Sequence, residues 1–121
     1  MSFQIFKTQI IYVQIRENLL KIRSVNEDKT IEIDAKIPFS TKRLLVGEFT
    51  IVTELLSEGV KQLENNFFAP TIVIHPLENI DEKLSEVEEK VFKELALNAG
   101  AKEVKLWLGE ELSDEELLHI N

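Results

Sequence analysis

Apolar residues recur along the chain at two periods, alternate positions before Pro38 and steps of three and four after it. Thr8 to Ile15 is rich in Ile, Val, Tyr and Thr, side chains that pack well on a pleated surface, and predicts a strand. Leu19 to Val25 repeats the pattern, with Leu20, Ile22 and Ser24 alternating against Leu19, Lys21, Arg23 and Val25. A polar turn over residues 26–29 leads into Thr30–Ile37. There Ile31, Ile33, Ala35 and Ile37 share one face, while Glu32, Asp34 and Lys36 share the other, as in a strand with one wet face. Three strands joined by tight turns predict an antiparallel meander.

Beyond Pro38, Phe49, Val52, Leu55, Leu56, Val60 and Leu63 mark one face of an amphipathic helix over residues 48–65. Gly59 interrupts it at a cost of roughly 1 kcal/mol relative to Ala, yet the apolar face continues. Thr71–Ile74 is nearly all apolar, as expected of a strand covered on both faces. Ile80, Leu84, Val87, Val91, Leu95 and Ala99 line a second helix, which Gly100 is suited to end in the left-handed conformation. Glu103 to Leu108 predicts another strand, and Ser113 to Glu116 has the spacing of a capping box opening a short helix with Leu117, Leu118 and Ile120. The order β-β-β-α-β-α-β-α makes an α/β fold with a mixed five-stranded sheet. Right-handed crossovers place the later strands parallel to the first. This is the ribonuclease H-like plan, shared with each half of the actin-like ATPases, and a fold by itself does not name a function.

Composition narrows the classes. At 121 residues, 44% of them apolar, the chain is expected to form a single domain over residues 1–121. Its formal charge of −8, from 22 acidic and 14 basic side chains, argues against a nucleic-acid partner, which needs clustered Lys and Arg. The lack of cysteine excludes disulfides, thiolate zinc sites and thiol nucleophiles. The N-terminus does not read as a signal peptide, and no apolar run approaches the roughly 18 to 20 residues of a membrane span. A cytoplasmic location and no membrane span are therefore expected.

The segment SEVEEKVFKELALNAGAKEVKLW, residues 85–107, combines Ser85-Glu-Val-Glu88 at a helix start with Ala99-Gly-Ala-Lys-Glu-Val104 at its end. With Pro70-Thr-Ile-Val-Ile74 ahead of it, this stretch resembles the MreB family of bacterial actins. That family has a strand leading to V-P-S-G, then T-E-V-E-R-R-A-V and A-G-A-R-E-V-Y-L-I. The similarity covers about forty residues, and A-G-A-x-x-V also occurs in unrelated α/β proteins as a helix stop before a strand.

The resemblance gives meaning to IIYVQIRENLLKI near the N-terminus. Actin-like ATPases have a first hairpin of the form V-G-I-D-[IL]-G-[ST], which would set Gln14 at the Asp, Arg16 at the Gly and Glu17 at the Ser or Thr. The Gly lets phosphate reach backbone N–H groups, the hydroxyl donates to phosphate, and the Asp organises the metal and its water. Here Glu17 presents negative charge and Arg16 fills the approach, so nucleotide binding is not expected and no cofactor is called for. The V-P-S-G segment reads His75-Pro-Leu-Glu78, and the family's E-P helix reads Gly109-Glu-Glu-Leu-Ser113; both diverge. With the chain ending at residue 121, only one wall of an ATP cleft is expected.

Enzymatic chemistry finds little to build on. A ribonuclease H-like nuclease needs converging acids on two metal ions, and the matching places offer Gln14, Glu54 or Glu58, and His75. Asp34 belongs to a solvated strand face. His75 is placed just past the C-terminal end of a central strand, where α/β sheets set their ligands. With only His119 as a second histidine, its simpler reading is a satisfied or exposed turn residue. Ser40, Thr41 and Ser57 have no base nearby in sequence. The acidic run Asp81–Glu94 contains the helical pairs Glu86–Lys90 and Glu89–Lys93, which describe a solvated face.

Interaction is left as the leading expectation. Trp107, on the last strand, is either a core aromatic or an interface anchor. The short helix carrying Leu117 and Leu118 must dock, onto its own sheet or onto a partner. Phe67 and Phe68 read as loop-to-core packing. The sequence thus suggests a non-enzymatic protein-interaction module, with a protein partner or self-association, on an MreB-like scaffold that has lost its nucleotide. Association with cell-shape or cytoskeletal assemblies is what the resemblance implies. The alternative is a small-molecule-binding regulator using strand-end loops near His75 and Gly109.

Overall fold

Ile10–Arg16 is buried at every position but the last because this strand, β1, is the middle of a sheet covered on both faces. The computed structural model describes residues 8–42, 44–63, 69–78 and 84–120. β2 (Leu19–Ser24) and β3 (Lys29–Asp34) follow as an antiparallel meander. Then come α1 (Phe49–Leu63), β4 (Thr71–Pro76), α2 (Glu86–Asn98), β5 (Glu103–Leu106) and α3 (Asp114–Leu118). The sheet has five strands in the order β3-β2-β1-β4-β5, with β4 parallel to β1 and β5 parallel to β4. The expected mixed sheet with three helices is what the chain forms.

Strand parity decides which face each residue serves. Ile11, Val13 and Ile15 of β1, Leu20 and Ile22 of β2, and Ile72 and Ile74 of β4 face α1 and α2. Val52, Leu56, Val60 and Leu63 of α1, with Phe92, Leu95 and Ala96 of α2, complete that core. The opposite parity sets Ile10, Tyr12 and Val73 against Leu117 of α3, with Trp107, Leu112 and Ile120 packed around them. Buried Gln9 donates to the Ser24 hydroxyl and to the Leu63 carbonyl, both at 2.7 Å, which satisfies a carbonyl that the last turn of α1 would otherwise leave open.

Helix ends follow local chemistry. The Ser85 hydroxyl accepts from Glu88 N–H while the Glu88 carboxylate accepts from Ser85 N–H, a complete capping box. At the other end Gly100 has φ +102°; its N–H donates to Leu97 and that of Ala101 to Ala96. This is the double-bonded left-handed stop for which glycine is suited. The two short motifs that carried the MreB resemblance are therefore, physically, a start signal and a stop signal.

Several expectations change. α2 begins at Glu86, so Leu84 is a buried loop residue, and Ile80 lies outside the described residues, as do Asp81, Phe67 and Phe68. The buried stripe is Phe92, Leu95 and Ala96, and Val87 is 72% exposed. At 100° per residue, Val87 points roughly 130° away from that stripe. β5 ends at Leu106 rather than Leu108, which leaves Trp107 beyond the strand, although its N–H still donates to Ile74. Ile37 follows the end of β3 and is 66% exposed.

Gly59 shows why the helix tolerates it. A Cβ there would lie 2.4 Å from Ile22 Cδ1 and 3.2 Å from Ile33 Cδ1, so α1 sits closer to β2 and β3 than alanine permits. Gly59→Ala gains about 1 kcal/mol of helix propensity but overpacks a filled site, which typically costs about 1–3 kcal/mol. Net destabilisation is expected in urea unfolding, with partial rescue in the Gly59→Ala/Ile22→Val double variant, where the offending methyl is gone. A raised midpoint for Gly59→Ala alone would show that the approach is not limiting.

Candidate functional site

The second face of the sheet is where polar side chains collect, because α3 is too short to cover it with apolar ones. Gln14 of β1 is the direct parallel neighbour of His75 on β4, and Tyr12 is two positions earlier on the same face. The Tyr12 hydroxyl lies 2.6 Å from His75 Nδ1, and His75 Nε2 lies 2.9 Å from the Gly109 carbonyl. A carbonyl only accepts, so Nε2 carries the proton and Nδ1 accepts from the Tyr12 O–H. The Tyr12 oxygen in turn accepts from Leu112 N–H at 3.1 Å. The rings lie 5.8 Å apart and nearly parallel. Together these bonds fasten residues 109–112 to the two central strands.

Burial governs the protonation of this pair. His75 is held below the usual histidine range chiefly by desolvation, only partly offset by its bond to Gly109 and by Glu111 nearby. Burial likewise pushes the Tyr12 phenol up. A neutral imidazole with both nitrogens occupied is a structural pin rather than a free base. His75 therefore lies within β4, not past its end, and is a satisfied buried residue rather than a turn residue.

An open cleft of about 530 Å³ adjoins this network, lined by Tyr12, Gln14, Lys21, Arg23, Glu111 and Asp114. Arg23 and Asp114 within it are already paired. The Arg23 guanidinium donates to both Asp114 carboxylate oxygens, at 2.8 and 2.6 Å, and to Asp28 at 2.7 Å. These bonds raise the Arg23 pKa further above its ordinary value and lower that of Asp114. Gln14 Nε2 donates to Glu111 at 3.3 Å. Among the described residues, no three His, Asp or Glu side chains are placed to hold a metal ion.

The turn between β1 and β2 is the other place of interest. Asn18 takes φ +55°, which asparagine tolerates better than most residues, and closes the two-residue connection. Its side-chain oxygen accepts from Phe39 and Ser40 N–H, both at 2.8 Å, and its carbonyl accepts from Ala35 N–H. Both N–H groups of the turn are occupied. Glu17 N–H donates to the Glu78 carboxylate, and Asn18 N–H to the Ser40 hydroxyl at 3.1 Å.

The remaining expected site residues do not converge with His75. Leu117 is fully buried against β1, so α3 docks on its own sheet, whereas Leu118 is 52% exposed beside it. The expected capping box at Ser113 and Glu116 forms. Trp107 is half-buried; its indole N–H donates to Glu110 and its ring lies against Gly109. Sequence reasoning missed the Tyr12–His75 bond, since no sequence pattern specifies the register between β1 and β4. It also missed the Asn18 clamp, although an asparagine in a two-residue turn was a visible signal.

Tyr12→Phe removes the donor to His75 and the acceptor for Leu112, and is expected to destabilise the chain by about 2 kcal/mol. Urea unfolding followed by Trp107 fluorescence measures it, and an unchanged midpoint would show that the bonds add nothing. Because His75 titrates lower folded than unfolded, the unfolded chain takes up its proton first. His75's contribution is therefore intact above the unfolded pKa, about 6.5, and is lost as pH falls toward the folded value. His75→Gln is expected to flatten that part of the pH profile.

No protein-family model matches the chain. It is 32% identical over 98 residues to an Escherichia coli K12 protein, described as uncharacterized protein YjaA, in a match covering 74% of this chain and 76% of that one. At that identity across about three quarters of both proteins, the chain belongs to the same family as YjaA.

Proposed function

We propose that this chain is a non-enzymatic protein-interaction module built on one half of an MreB-like, ribonuclease H-like scaffold whose nucleotide site is closed. The observation that carries the reading is the occupied turn. In an actin-like hairpin the phosphates need backbone N–H groups free of side chains. Here the Glu78 carboxylate already accepts from Glu17 N–H, and Ser40 from Asn18 N–H, so an anion would have to displace a like charge. The sheet order β3-β2-β1-β4-β5, with only β2 antiparallel to both neighbours, supports the scaffold assignment. No described helix is long and apolar enough to cross a membrane; a cytoplasmic location belongs to the proposal and rests on the sequence alone. The resemblance suggests cell-shape or cytoskeletal assemblies as its setting.

The alternative, a small-molecule regulator near His75, has less behind it, because both ring nitrogens are engaged within the chain. Thermal unfolding in the presence of millimolar ATP and magnesium is expected to show no shift. A saturable rise in Tm, which reports binding to the folded state, would overturn the reading.

A further inference from the structure

The two edges of the sheet are not equivalent. β3 exposes Lys29, Glu32 and Asp34, charges that discourage another strand from pairing there. β5 carries one acid and one base, Glu103 and Lys105, on one face, and partly buried Val104 and Leu106 on the other. A shallow groove of about 530 Å³ follows this edge, lined by Glu89 and Lys93 of α2 and by Lys105, Leu106, Trp107 and Ile120. No described element pairs with the outer side of β5.

Resting on the interaction-module reading, we propose that the occupant of this edge is β5 of a second copy of the chain, paired antiparallel about a two-fold axis at Val104. Trp107 N–H donates inward to Ile74, and the register sets Ile72 beside Val104, so Glu103 and Lys105 bond β4 and the backbone groups of Val104 and Leu106 turn outward, available to a partner. An isologous pair needs a two-fold axis passing through a residue position. With the axis at Val104, Glu103 of each copy stands directly opposite Lys105 of the other, and the charges match twice. An axis at Glu103 or at Lys105 opposes like charges, and an axis at Leu106 leaves Glu103 without a cation.

The ion pair within one strand, Lys105 Nζ to Glu103 at 3.5 Å, then becomes part of an alternating four-charge cluster. Glu89 and Lys93, one helical turn apart and beside the edge, carry the same mixed charge. This local matching matters because two copies, each at −8, repel. Over more than about 8 Å that repulsion is screened at physiological salt, while opposed cross-strand pairs are not.

Light scattering of the full chain after size exclusion, over a range of concentrations, tests the assignment. The wild type is expected to dimerise. Glu103→Lys and Lys105→Glu each set like charges opposite one another at both positions and should weaken Kd by about tenfold or more. Glu103→Lys/Lys105→Glu should restore Kd to within about threefold of the wild type. Amide exchange at residues 104 and 106 should slow with rising wild-type concentration, a readout independent of the variants. A monomeric wild type, or a dimer indifferent to all three variants, overturns the proposal. Either result leaves the interaction-module reading standing unless ATP also raises Tm.

Discussion

A strand pair buried on both sides must be covered twice, and every other feature of the molecule answers that demand. β1 and β4 are apolar on the side that meets α1 and α2, so their cover is ordinary core packing. On the other side the cover is a segment of about ten residues ending in a one-turn helix. Such a segment cannot hold itself by apolar area alone. Its attachment is polar instead: Tyr12 and His75 grip the backbone of residues 109–112, and Arg23 grips Asp114. Leu117 then fills the space between these anchors. The residues that look chemically interesting are interesting because they fasten.

Much of the fold was legible in the sequence, and the reason is periodicity. The alternation in Leu19–Ser24, the three-and-four spacing in Phe49–Leu63 and the stop at Gly100 each depend on neighbours a few positions away, so a single chain displays them. What was not legible depends on contacts between distant segments. Val87 was assigned to a buried face because the apolar spacing was extended backward through residues that precede α2. His75 was placed past the strand because the apolar run ends at Ile74, yet the parallel ladder with β1 runs through Pro76. Tyr12 and His75 are 63 residues apart, and their meeting depends on a register that neither strand encodes alone.

The turn after β1 combines both kinds of information. That it lacks the glycine and hydroxyl of a phosphate loop can be read directly from Arg16, Glu17 and Asn18. That its N–H groups have found other acceptors, in Glu78 and Ser40, required the fold. The change of composition and the change of hydrogen-bond partners reinforce one another. Once a carboxylate from the loop after β4 sits on the turn, a glycine there has nothing left to admit.

The distance along the chain between β1 and its second cover has a consequence for biosynthesis. Ile10 and Tyr12 leave the ribosome well before Leu117, which is made more than one hundred residues later. Throughout that interval the nascent sheet presents a half-finished, greasy surface to the cell. Its tail works like the flap of an envelope, sealed only after everything inside has been set in place.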